Sequence, residues 1–389
     1  MLRQVFVKFP GAVLIALAAA CAAAAADPAQ LVLESTIPLG KVSGRIDHLA
    51  VDLQRQRLYV AELGNDSVGV VDLGSRSLLR NLPGLREPQG VLFVAATDEL
   101  YVANGGDGSL RAFRGSDLSA SGLVSLGGDV DNLRLDPLGR FIAAGHDNGA
   151  LALIDAPSHR RIADIPLRAH PEGFQLSADG RRAFVNVPGN REIAVIDMTL
   201  RKQIDSWRAT DMKANFPLAL EPHVAAPWVA FRDPAKIVRF GPGGIPTLVL
   251  DICGDSDDVF FDEQRHRLYV ICGSGHIDVL ERIGQQYTHV GRIATVPGAR
   301  TGLFVPELDR LFIAARATPT QPAAILVFRP DKVARRPCPG GCGSVCLTTS
   351  AHWHEQTLLP GHLYSRSLSC LPAGSGCRRG LCGRRNPTR

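Results

Sequence analysis

The chain is short of aromatic residues. Only 6% of its 389 residues are Phe, Trp or Tyr, with three Trp and five Tyr. That scarcity argues against single-stranded nucleic-acid binding, which stacks bases on aromatic rings. Catalytic signatures are missing as well: there is no G-x-S-x-G, no H-E-x-x-H and no C-x-x-C-H. "GPGGIP" at 241–246 precedes no helical pattern, so it forms no phosphate loop. Helical periodicity is absent from the body of the chain, and so is any long apolar run that would span a membrane. Between residues 27 and 330 only two cysteines occur, Cys253 and Cys272, too few for a disulfide-built scaffold.

The two ends differ from the body. Residues 1–26 hold Arg3 and Lys8, then "GAVLIALAAACAAAAA", with Ala24-Ala25-Ala26 before Asp27. This reads as a secretory signal peptide, cleaved near Asp27, which implies a periplasmic or secreted protein. Cys21 offers a rival lipoprotein reading, but Ala18 stands where a large aliphatic residue is wanted. Residues 331–389 carry six of the nine cysteines among Arg, Gly, Pro and Ser, with no strand or helix period. Their spacing fits no paired C-x₂-C zinc site. The tail is expected to be disordered or out of its native frame. It also skews the charge. Taking its net +7 and the leader's +2 from the total of +5 leaves −4 for residues 27–330. The folded part is mildly acidic, which again disfavours nucleic acid.

What the body does have is a repeat. "LYV" begins at Leu58, Leu100 and Leu268, with weaker copies at Phe141, Ala183, Trp228 and Leu311, at steps of 40 to 45 residues. Each unit reads strand, turn, "LYV" strand, polar turn, third strand, then a more polar fourth strand. In the polar turns ("LGND", "GGDG", "HDNG", "VPGN") Asn and Gly are expected to supply positive φ. Seven units of four short strands predict an all-β, seven-bladed β-propeller over residues 27–330. The last unit lacks a fourth strand, and "LVLESTIPLG" at 31–40 is a spare one. It is expected to complete that blade and latch the ring, which would act as a monomer. Unit five departs most, with prolines where turns are expected.

"LYVANGGDGSLRAF", "LYVAELGNDSVGVVDL" and "RAFVNVPGNREIAVIDMTL" resemble the YVTN-repeat, YncE-like family of secreted bacterial propellers. The resemblance covers residues 31–330. It implies a seven-bladed ring outside the cytoplasm, and it implies no single chemistry.

Aligning the units on the end of strand one (Asp52, Asp136 and Asp262 among others) brings one register into view. Five places earlier stand Asp47, Gly90, Asp131, Glu172, Phe216, Asp257 and Thr301. Four of these seven are carboxylates, expected on one rim of the central channel. His48, Asn132, His170, Asn215, Asp258 and Arg300 flank them. Like charges around one channel repel, so something should compensate. A small ligand, a protein partner, internal ion pairs or a divalent cation such as calcium would serve. The leading expectation is a binding or scaffold propeller. The alternative, by analogy with lactonase-like propellers, is a metal-dependent hydrolase with Glu172, Asn215 and Asp257 as ligands. For Cys253 and Cys272 an oxidising compartment permits a bridge, but opposite placement of their strands favours two buried free thiols.

Overall fold

The computed structural model describes residues 30–331, apart from 148, 222, 223 and 225. The signal-peptide and lipidation readings and the tail from 332 onward lie outside the described residues.

The repeat folds as expected. Seven antiparallel sheets of four strands form one blade each. Blade one runs from Leu49–Asp52 to Ser77–Pro83, and blade six from Ser256–Asp262 to Gln286–Ala294. In blade seven the outermost strand is Leu31–Pro38, paired from Leu31 opposite Pro330 to Pro38 opposite Ala324. The ring is therefore closed by its two chain-distant ends. No helix of the described residues is long and apolar enough to cross a membrane.

The apolar "LYV" run has a geometric cause. Side chains alternate along a strand, so neighbours face opposite sides of a blade. In a propeller both sides are buried. Leu58 and Val60 pack into the seam between blades seven and one, while Tyr59 and Ala61 pack between blades one and two. Leu268 and Val270 face blade five, and Tyr269 and Ile271 face blade seven. The second strand thus needs apolar residues at every position, as buried strands do. Where a first strand ends in Asp, as at Asp52 and Asp262, the reason is different. Asp52 accepts from Arg55 Nη1 at 2.9 Å, and Arg55 also grips Asp98 of the next blade at 2.6 and 2.9 Å. Arg265 repeats that clasp between Asp262 and Asp309.

Three local expectations need correction. In the polar turns Gly108 and Gly149 do take positive φ, but elsewhere Asp66 (φ 52°) and Arg191 (φ 51°) do so. Each of those follows a 3-10 turn, Leu63–Asn65 or Pro188–Asn190, which moves the left-handed residue one place on. In unit five Pro217 lies inside a strand, Lys213–Glu221. The ladder skips there between Asn215 and Leu218, so the missing N–H costs no cross-strand bond. Finally, Cys253 and Cys272 form a disulfide, with Cα atoms 5.8 Å apart. Cys253 does not lie on an opposing strand. It sits in the connection ahead of Ser256–Asp262, which folds back over the end of Arg267–Cys272.

Candidate functional site

The connection entering each first strand brings the acidic register to one place. Asp47 is 1% exposed and Asp131 7%. His48 stands among three carboxylates: Nε2 is 3.8 Å from Asp47 and 3.9 Å from Asp131, and Nδ1 is 3.5 Å from Asp258. Burial works to lower its pKa, but Asp258, Asp47 and Asp131 together outweigh it, and the imidazole is pushed up to about 10. It is a cation at neutral pH. Asp258 Oδ2 also accepts the Gly302 N–H at 2.9 Å, tying blade six to blade seven.

Arginines also hold the rim. Arg45 lies 2.8 Å from Asp47 Oδ2. Burial acts to lower its pKa, and the fields of Asp47, Asp257, Asp131 and Glu172 reverse that. Arg232 donates to Asp257 Oδ1 at 2.5 Å and to the Ser256 carbonyl at 2.8 Å. Arg300 contacts Asp255 at 3.1 Å and Asp257 at 3.7 Å. Arg232 was not foreseen from the register, because it arrives from the second strand of blade five, Ala226–Asp233. A signal existed: four places after each "LYV" start stand Glu62, Asn104, Gly145, Val187, Arg232, Cys272 and Ala315, and only one of these is cationic.

Compensation is incomplete. Burial raises Asp131 to about 7, helped by the charges of Asp47 and Asp257. Glu172 is raised to about 8 by burial and by Asp131 and Asp257. Asp257 is raised to about 6 by burial, despite Arg232. These carboxyls share protons near neutrality. One ligand atom each from Asp131, His170 and Glu172 lies within 4.8 Å of the other two. Asp131 Oδ1 and His170 Nδ1 are buried without a hydrogen-bond partner. Asn132 is buried beside Asp131, its Oδ1 likewise unpartnered.

Asn215 does not join the group as expected. It is fully buried, and its Nδ2 donates to Asn186 Oδ1 at 3.1 Å and the Glu192 carbonyl at 2.9 Å, in the seam between blades four and five. Its neighbour Phe216 takes the register position and offers a ring to Arg232. Strand alternation sends the two side chains in opposite directions.

These features define a seven-bladed β-propeller with an acidic, arginine-buttressed rim. No family model matches the sequence, and no curated protein does. Among solved structures, a chain of Kuenenia stuttgartiensis hydrazine synthase superposes with a TM-score of 0.63 over 75% of this chain and 96% of that one, at 14% identity. At that identity the likeness concerns the fold alone.

Proposed function

We propose that this is a secreted binding propeller of the YVTN-repeat type whose rim takes a divalent cation between Asp131, His170 and Glu172. The observation that carries this is Asp131: its Oδ1 is buried with no hydrogen-bond donor, and one of its carboxylate oxygens lies within ligand reach of His170 and Glu172. A buried carboxylate oxygen without a donor is costly, and a cation removes that cost together with the mutual repulsion. An imidazole beside two carboxylates suits Mn²⁺ or Zn²⁺ better than Ca²⁺, which prefers oxygen alone. The Cys253–Cys272 bridge suits an oxidising compartment, in keeping with the leader. The hydrolase alternative draws on Asn215 as a ligand; its Nδ2 is committed to Asn186 and the Glu192 carbonyl, while its Oδ1 has no hydrogen-bond partner.

The test is thermal melting of the full chain with EDTA and with Mn²⁺, Zn²⁺ or Ca²⁺, paired with metal analysis after dialysis. A specific cation at a hundredfold its dissociation constant adds about 2.7 kcal/mol. That gain should vanish in Asp131→Asn and in Glu172→Gln. Melting that no cation moves, with Asp131→Asn more stable in every buffer, would sink the proposal.

A further inference from the structure

The rim register has a second ring beneath it. Three places further along the first strands stand Ala50, Phe93, Arg134, Gln175, Ala219, Phe260 and Phe304, and all but Ala219 line one cavity of about 380 Å³ in the middle of the ring. None of the register acids Asp47, Asp131, Glu172 or Asp257 lines it; His48 and Asp258 are its link to the rim. Its walls are mainly apolar, with three phenylalanines and two polar groups on the inner ring. That composition and volume match small-molecule sites.

The charge of the cavity is opposite to that of the rim. Its ionisable lining residues are His48, Asp258 and Arg134. His48 and Asp258 face each other at 3.5 Å and offset one another. Arg134 remains. Among the described residues no carboxylate lies within ion-pair distance of it. Its Nη1 reaches only the Leu133 carbonyl, at 2.8 Å, and its guanidinium stands 5.5 Å from the Phe174 ring centre. Burial holds its pKa below the usual arginine value, and the fields of Asp258 and Asp131, neither in ion-pair contact, only partly offset that. A guanidinium in apolar walls, with a primary amide on the adjacent blade, is suited to a planar two-oxygen anion.

We propose that this inner ring binds a small monocarboxylate with an apolar body, the carboxylate held by Arg134 and Gln175 and the body by Phe93, Phe260 and Phe304. The site is separate from the cation site on the rim and does not depend on it.

Phenylacetate, with phenylacetamide as its neutral counterpart, probes the site in the full chain by titration calorimetry and saturation-transfer NMR. Phenylacetate should bind saturably and roughly ten- to a hundredfold more tightly than the amide, the difference a charge-assisted bond makes. Binding should persist in EDTA. Arg134→Gln should fold, since it removes a half-buried cation that has no carboxylate in ion-pair contact, and should bring phenylacetate down to the affinity of the amide. Should that variant misfold, Gln175→Met offers a second check and should weaken phenylacetate several-fold. Equal affinity for acid and amide, or undiminished binding in these variants, would overturn the proposal. So would the absence of saturable binding up to about 10 mM, beyond the range of a pocket of this kind.

Discussion

The guanidinium of Arg232 lies over the ring of Phe216, 3.8 Å from its centre. From there it holds Asp257 with one nitrogen and the Ser256 carbonyl with another. One aromatic residue in an otherwise polar register thus aims the cation that neutralises blade six. Arg232→Gln should lose the stacking and leave Asp257 without its main counter-charge. Urea denaturation should show a loss of about 2–4 kcal/mol. Arg232→Lys should recover only part of it, because an ammonium neither stacks flat nor donates to both acceptors.

The rim carboxyls predict an unusual pH dependence. Asp131, Glu172 and Asp257 have folded pKa values raised above those of the unfolded chain. The folded state therefore binds more protons than the unfolded state between about pH 4 and pH 8, and stability falls as pH rises through that window. His48, raised to about 10, adds stability below its unfolded value that is lost as pH climbs through 10. All four contributions have the same sign. In EDTA the chain should melt at a higher temperature at pH 6 than at pH 8. A bound divalent cation should narrow the gap. Equal melting at both pH values without metal would contradict the assigned shifts.

Much of this arrangement is legible in the sequence, for definable reasons. Strand alternation and turn chemistry are local, so the repeat from Leu58 to Leu311 and the spare strand at 31–40 can be read directly. The acidic register follows because equivalent positions of a repeat map to one ring. What escaped reading depends on contacts between distant segments. Arg232 enters from a different strand. Asn215 faces the seam between blades four and five, opposite to Phe216, just ahead of a ladder irregularity. Cys253 lies in a connection whose path no periodicity reports. The counter-charge shortage at Arg134 emerges only when seven strands surround one cavity.

Closure of the ring should be the main determinant of stability. Ile37, 1% exposed, packs with Ile325 and Phe312 in the seam between blades seven and one. Ile37→Ala should cost about 2–5 kcal/mol. Ile37→Asp should prevent accumulation of folded protein, since it places a charge in that seam. Guanidinium melts and soluble yield provide the measurement. A loss under 1 kcal/mol for the alanine variant would show that the latch is dispensable.

The Cys253–Cys272 bridge closes a segment of 19 residues. A loop of that size corresponds to about 3 kcal/mol of restricted unfolded-state freedom. Cys253→Ser with Cys272→Ser should lower stability by that order. The same bridge anchors the connection carrying Asp255, which leads into the strand carrying Asp257, so the double variant should also weaken any cation-dependent rise in melting temperature. A variant as stable as the parent, under non-reducing conditions, would place the thiols free in solution.

The pairing of Leu31 with Pro330 has a temporal meaning too. Among the described residues the earliest strand, Leu31–Pro38, pairs only with the latest, Ala324–Pro330, so Leu31 and Ile37 stay uncovered until that segment has been made. Contacts of such long range are slow to form and leave apolar edges open meanwhile. An escort that keeps the nascent strand from wrong partners would change the yield of this protein more than any increase in its equilibrium stability.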